Sequence, residues 1–102
     1  MPAATLDSIL ATVTDIVASA LGVDKQRVGL DTSLIYDLGA ESIDLVDIRF
    51  RIEETYGFRV DQRTFIAELA SGATAQDVQS LLTVRRLAEF ILRRVQKESE
   101  RA

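Results

Sequence analysis

The chain has 102 residues, 47% of them apolar and 27% charged, a composition that suits one globular domain with one small core. At this length about 65% of the unfolded chain's surface can be buried, so no covalent staple is needed. The sequence holds no Cys and no His, which removes disulfides, thiolate metal sites and the commonest general base and metal ligand. Only carboxylates remain for a metal, so no metal site is expected, and catalysis by the chain alone is not expected either.

Charge is unevenly placed. Residues 1–58 carry four basic and ten acidic side chains, a balance of −6, and residues 59–102 carry eight basic and six acidic, a balance of +2. The acidic half argues against nucleic acid as a partner and favours proteins with basic docking surfaces. Arg85-Arg86 and Arg93-Arg94 read as the solvated face of a late helix rather than a phosphate or membrane patch. No apolar run approaches the roughly 20 residues of a membrane span. The opening, Met1 to Leu10, carries Asp7 and no basic group, unlike a secretory leader, so the expected compartment is the cytoplasm.

Apolar residues at 6, 9, 10, 13, 16, 17 and 21 repeat with helical spacing, which predicts a first helix over about 5–21. Thr5 or Asp7 can cap its start, and Leu21-Gly22-Val23 reads as its stop. Residues 22–41 keep no period. Val23, Val28, Leu30, Leu34 and Leu38 stand as scattered anchors in a long loop pinned to the core, and loops of that length tend to carry function.

A second helix starts near Ser42 and ends at Gly57. Ile43, Val46 and Phe50 form one apolar row, and Leu45, Ile48, Ile52 and Tyr56 another. Two rows exceed what one core face requires, and the surplus points to a ligand or partner surface. Asp44, Asp47, Glu53 and Glu54 supply an acidic face. Asp61 then caps a short helix with Phe65, Ile66 and Leu69 inward, closed by Ser71-Gly72. Thr74 to Asp77 starts another short helix with Val78, Leu81 and Leu82, and Thr83 caps a last helix carrying Val84, Leu87, Ala88, Ile91 and Val95. The tail 97–102 is expected to fray. Clean alternation with hairpin turns is absent, so the expected fold is all-α: a single domain over 1–102, a small bundle with a long loop between helices 1 and 2 and extra short helices before the last.

The informative stretch is Asp37-Leu38-Gly39-Ala40-Glu41-Ser42-Ile43. It sets a serine hydroxyl at a loop-to-helix junction, where unpaired N–H groups and the positive end of the helix dipole favour an attached anion. Without His the hydroxyl is not a self-activated nucleophile. Taken alone, Ser42 reads as a helix cap, although the Glu or Gln of a capping box is missing at residue 45.

This stretch resembles the attachment signature of the acyl carrier protein family, Asp-Leu-Gly-x-Asp-Ser-Leu. The resemblance runs through Asp44-Leu45-Val46-Asp47-Ile48, Glu53-Glu54 and Tyr56-Gly57. Upstream it takes in Leu21-Gly22-Val23 and Asp31-Thr32-Ser33-Leu34, and downstream Leu82-Thr83-Val84 with Leu87. It implies an acyl-carrier-like bundle in which a phosphopantetheinyl transferase places 4′-phosphopantetheine from coenzyme A on Ser42. The thiol of that arm then holds acyl groups for synthases and acyltransferases of fatty-acid, lipid or secondary-metabolite synthesis. The chain is implied to be a monomeric carrier and not an enzyme.

By the same resemblance, Asp44, Asp47, Glu53, Glu54, Ile43 and Val46 meet partners, and Val46, Phe50, Phe65, Ile66 and Leu69 are acyl-pocket candidates. For the acids the plainer alternative is a solvated face, and for Val46 and Phe50 it is core packing. Glu41 and Ile43 replace the family's usual Asp and Leu, and Arg49 and Arg51 bring positive charge into a normally acidic helix. The longer segment between Val60 and Thr83 resembles that of specialised bacterial carriers of long lipid A chains. The alternative function is an unmodified helical interaction module that uses the acidic face of helix 2.

Overall fold

The computed structural model describes residues 5–70 and 82–101. Four α-helices occur among them: α1 (Leu6–Leu21), α2 (Ser42–Tyr56), α3 (Gln62–Leu69) and α4 (Val84–Arg101), with a short 3-10 turn at Lys25–Arg27 in the long loop. The expected short helix at 74–82 lies outside the described residues except for Leu82. α4 continues through Arg101 and takes in most of the tail.

Each helix starts and stops where local chemistry dictates. Thr5, rather than Asp7, caps α1: its hydroxyl accepts the N–H of Ser8 at 3.2 Å. Gly22 closes the helix with φ 66°, and Val23 donates back to the carbonyl of Ala18 at 3.0 Å. Asp61 caps α3 by accepting the N–H of Thr64 at 2.8 Å, a bond that holds its carboxyl below the ordinary carboxylate range. Thr83 caps α4 by accepting the N–H of Arg86 at 3.2 Å.

α1 packs on both α2 and α4, and α3 closes the bundle against α2 and α4. Ile9, Val13 and Val17 of α1, Ile48 and Ile52 of α2, and Leu87 and Ile91 of α4 make the buried centre. Phe90, which falls beside the expected inward row of α4, is fully buried as well. It meets Phe65 and Phe58 edge-on at centroid distances of 5.3 and 5.9 Å. α4 contacts α1 on one side and α3 on the other, so its buried face is wider than one row.

The long loop is tied to the start of α4. Leu34 donates to the carbonyl of Leu82 at 2.9 Å, and Ser33 and Thr83 form an isolated antiparallel bridge. Arg85 donates its N–H to the carbonyl of Leu30 at 2.9 Å, and its guanidinium binds Asp31 at 2.8 and 3.1 Å. Val28 and Leu34 are buried anchors, whereas Leu30 holds the loop through its backbone and leaves its side chain exposed. No strand forms among the described residues, and none of their helices is long and apolar enough to cross a membrane.

Candidate functional site

The signature stretch folds as a knot of backbone hydrogen bonds leading into α2. Asp37 accepts the N–H of Ser33 at 2.8 Å, the hydroxyl of Ser33 accepts the N–H of Tyr36 at 3.0 Å, and Ala40 donates to the carbonyl of Leu34 at 2.8 Å. Asp37 therefore closes the turn before α2. Gly39 takes φ 73°, in the left-handed region where a side chain is strained. Ala40 is buried, and Glu41 turns the chain into the helix.

Ser42 is not the cap. Glu41 occupies that position in extended conformation, and the Asp44 carboxylate accepts the Glu41 N–H at 2.8 Å. The capping pair lies one residue earlier than a serine cap requires, which explains why residue 45 is Leu. Leu45 is buried instead. Ser42 is thus the first helical residue, exposed, with its hydroxyl over the positive end of the helix.

Beside it opens an apolar cavity of about 550 Å³. Leu45 and Val46 of α2 and Gln62 and Ile66 of α3 form two walls, Ile35 and Leu82 complete it, and Ser42 stands at its edge. Val46 and Ile66 are the two pocket candidates that line this space. Phe65 and Leu69 do not: they are 1% and 2% exposed and belong to the packed core against α4. Phe50 does not either. It is 47% exposed on the outer side of α2, with the Arg49 guanidinium 4.5 Å above its ring. Ile35, Leu45, Gln62 and Leu82 line the cavity as well, without a signal for it in the sequence. Ile35 and Leu82 come together through the pairing of the long loop with the start of α4, which no local pattern announces.

The acidic face divides in two. Asp47 pairs with Arg51 at 3.1 Å on the half-exposed surface, Glu54 is exposed, and Asp44 serves the cap. Glu53 is the correction: it is 4% exposed and turned inward. Its Oε2 accepts the N–H of Val60 at 2.7 Å and the Nη1 of Arg49 at 3.1 Å. Its Oε1 lies 3.7 Å from Arg59 without a hydrogen-bond donor. Arg49, 12% exposed in its side chain, also donates to the carbonyl of Val60 at 2.8 Å and to Gln62 Oε1 at 2.6 Å. This arginine is a part-buried strut between α2 and α3 rather than a freely solvated charge. Ile43 is 72% exposed on the outer face of α2. Among the described residues no cluster of acidic side chains is arranged to hold a metal ion.

The donor set suits a phosphorylated group: an exposed hydroxyl at a helix start, with an apolar space beside it long enough for a chain. Comparison with known proteins bears on the same residues. The family model for the phosphopantetheine attachment site matches residues 11–78. The acyl carrier protein of Thermotoga maritima is 37% identical over 79 residues, covering 78% of this chain and 93% of that protein. That of Bdellovibrio bacteriovorus is 36% identical over 70 residues, covering 69% and 85%. That of Cyanidium caldarium is 30% identical over 95 residues, covering 93% and 95%. These matches favour a modified carrier over an unmodified interaction module. The chain belongs to the acyl carrier protein family: it is a carrier rather than an enzyme, it works with acyl-processing enzymes, and its cofactor is covalently attached 4′-phosphopantetheine.

Proposed function

We propose that Ser42 is the attachment residue and that the cavity beside it receives the acyl chain. The observation that carries this reading is the exposed Ser42 hydroxyl, free of capping duty, at the edge of a space walled by Val46, Ile66 and Leu82. A phosphopantetheinyl transferase supplies the base that this chain lacks. Ser42 Oγ forms a bond to the phosphorus of the pantetheine side of coenzyme A as the bond between its two phosphates breaks. The hydroxyl proton passes to the transferase, and the adenosine bisphosphate leaves. The new phosphodiester anion is favoured by the first-turn N–H groups of α2. The attached group supplies a terminal thiol, on which acyl groups are held as thioesters.

Synthases and acyltransferases dock on the outer face of α2. Ile43 offers apolar contact there, with Val46 at the border between that face and the cavity, and Asp44, Asp47 and Glu54 offer charge to basic surfaces. Glu53 is committed inside the bundle and takes no part. The carrier works as a monomer in the cytoplasm, a reading supported by its membership of the acyl carrier protein family.

The test is intact-mass spectrometry after incubation with coenzyme A and a broad-specificity transferase. The expected result is a gain of one phosphopantetheine in the wild type and none in Ser42→Ala. No gain in the wild type, or an equal gain in the variant, overturns the assignment.

A further inference from the structure

Gln62, the first residue of α3, stands between two parts of the molecule. It lines the apolar cavity, and it reaches the buried Arg49–Glu53 pair. Its Oε1 accepts the Nε–H of Arg49 at 2.6 Å. A guanidinium only donates, so this contact fixes which end of the amide faces Arg49. The two N–H bonds of Nε2 are then directed away from the arginine, and among the described residues they have no acceptor.

Arg49 cannot follow a displaced amide. Its Nη1 is held by the Val60 carbonyl at 2.8 Å and by Glu53 Oε2 at 3.1 Å. The amide is therefore clamped by charge-assisted bonds that begin at a buried carboxylate. Among the described residues it is, apart from Ser42, the one polar side chain on a wall otherwise made by Ile35, Leu45, Val46, Ile66 and Leu82. A saturated chain has no use for such a donor, and covering it with hydrocarbon leaves it without a partner.

We propose that Gln62 is a specificity-determining residue whose Nε2 amide donates to an oxygen on the acyl chain, so that the cavity favours hydroxyacyl and ketoacyl groups over saturated chains of equal length. This rests on the reading of Ser42 as the attachment residue and of the cavity as the acyl site. Arg49 is the positioning residue that holds the amide in place.

The test loads the full chain, by the transferase, from coenzyme A, decanoyl-, 3-hydroxydecanoyl- and 3-oxodecanoyl-coenzyme A. Mass, melting temperature and the Gln62 side-chain amide signals in 1H–15N spectra are read. The amide signals are expected to move downfield with the two oxygenated chains only. The melting temperature of the hydroxyacyl form relative to the saturated form is expected to fall by about 4–8 °C in Gln62→Met. An amide signal that moves equally with the decanoyl chain, or with the unacylated arm, overturns the inference. So does an unchanged melting difference in Gln62→Met. Arg49→Met is expected to broaden or shift the amide signals and to reduce the same difference. Loss of all mass gain in the wild type defeats the assignment of Ser42 and this inference with it. A normal mass gain with unmoved amide signals defeats this inference alone.

Discussion

Glu53 and Val60 are joined by a hydrogen bond of 2.7 Å from the Val60 backbone N–H to a carboxylate that is almost completely buried. The bond links the last turn of α2 to the segment that leads into α3. The same carboxylate neutralises Arg49, so its removal leaves the part-buried guanidinium without its counter-charge and the Val60 N–H without its acceptor. Glu53→Ala is expected to cost about 3 kcal/mol or more, read from urea unfolding. Arg51→Ala breaks the half-exposed pair with Asp47 and an exposed hydrogen bond of 3.0 Å to the Ser19 hydroxyl, and is expected to cost under about 1 kcal/mol. Similar losses in the two variants would show that burial of Glu53 carries no special weight.

The contrast between these two arginines marks the limit of what was legible in the sequence. Helix boundaries were legible because their signals are local: Asp61 before Gln62, Gly57 after Tyr56, and the 6, 9, 13, 16, 17 spacing of α1. The place of Ser42 at the loop-to-helix junction was legible for the same reason, although the cap one residue earlier at Glu41 was not. The fate of Glu53 was not. It shares its charge with Glu54, which is exposed, and only the approach of Val60 and Arg59 decides that one turns inward. Phe65 and Leu69 are apolar as read but lie in the packed core rather than on the cavity wall, since inward from α3 can mean toward α4 or toward α2. Phe90 has no distinct local signal, because it sits between two helices rather than on one face.

Asp31 and Arg85 tie the long loop to α4 by two hydrogen bonds, and the guanidinium holds the Asp31 carboxyl below its ordinary value of 3.8. A depressed folded-state pKa gives stability that is present above the unfolded value and lost as pH falls through the folded one. The melting advantage of wild type over Asp31→Asn is expected at neutral pH, to shrink as pH drops below 3.8, and to weaken with added salt because both groups are exposed. An advantage that grows in acid contradicts the assignment.

Gly39 offers a separate test of the approach to α2. An added Cβ there meets nothing within 4 Å, so the cost of Gly39→Ala is the backbone strain at φ 73° alone. About 1–2 kcal/mol of destabilisation is expected, with Gly39→Asn milder, measured by thermal unfolding.

The cavity predicts a dependence on cargo length. Each methylene buried in it contributes about 0.8 kcal/mol, so the melting temperature of saturated acyl forms is expected to rise with chain length until the space is full. Ile66→Phe narrows the cavity and is expected to flatten that rise while the mass gain at Ser42 stays complete. Equal melting temperatures for short and long chains in the wild type count against the acyl cavity.

Ile43 and Ile48 separate folding from recognition on the same helix. Ile48 is fully buried, and Ile48→Ala is expected to cost about 2–5 kcal/mol. Ile43→Ala changes an exposed side chain, so stability is expected to stay within about 0.5 kcal/mol while modification by the transferase slows. Unaltered modification kinetics in Ile43→Ala remove it from the docking face.

Because Glu41 and Asp44 bear the helix start between them, the neighbouring hydroxyl owes the scaffold nothing. Esterifying it breaks no bond that holds the architecture, so the bare and the decorated protein can share one shape. Selection on the side chain at position 42 is thereby released from any duty to folding and left to chemistry alone.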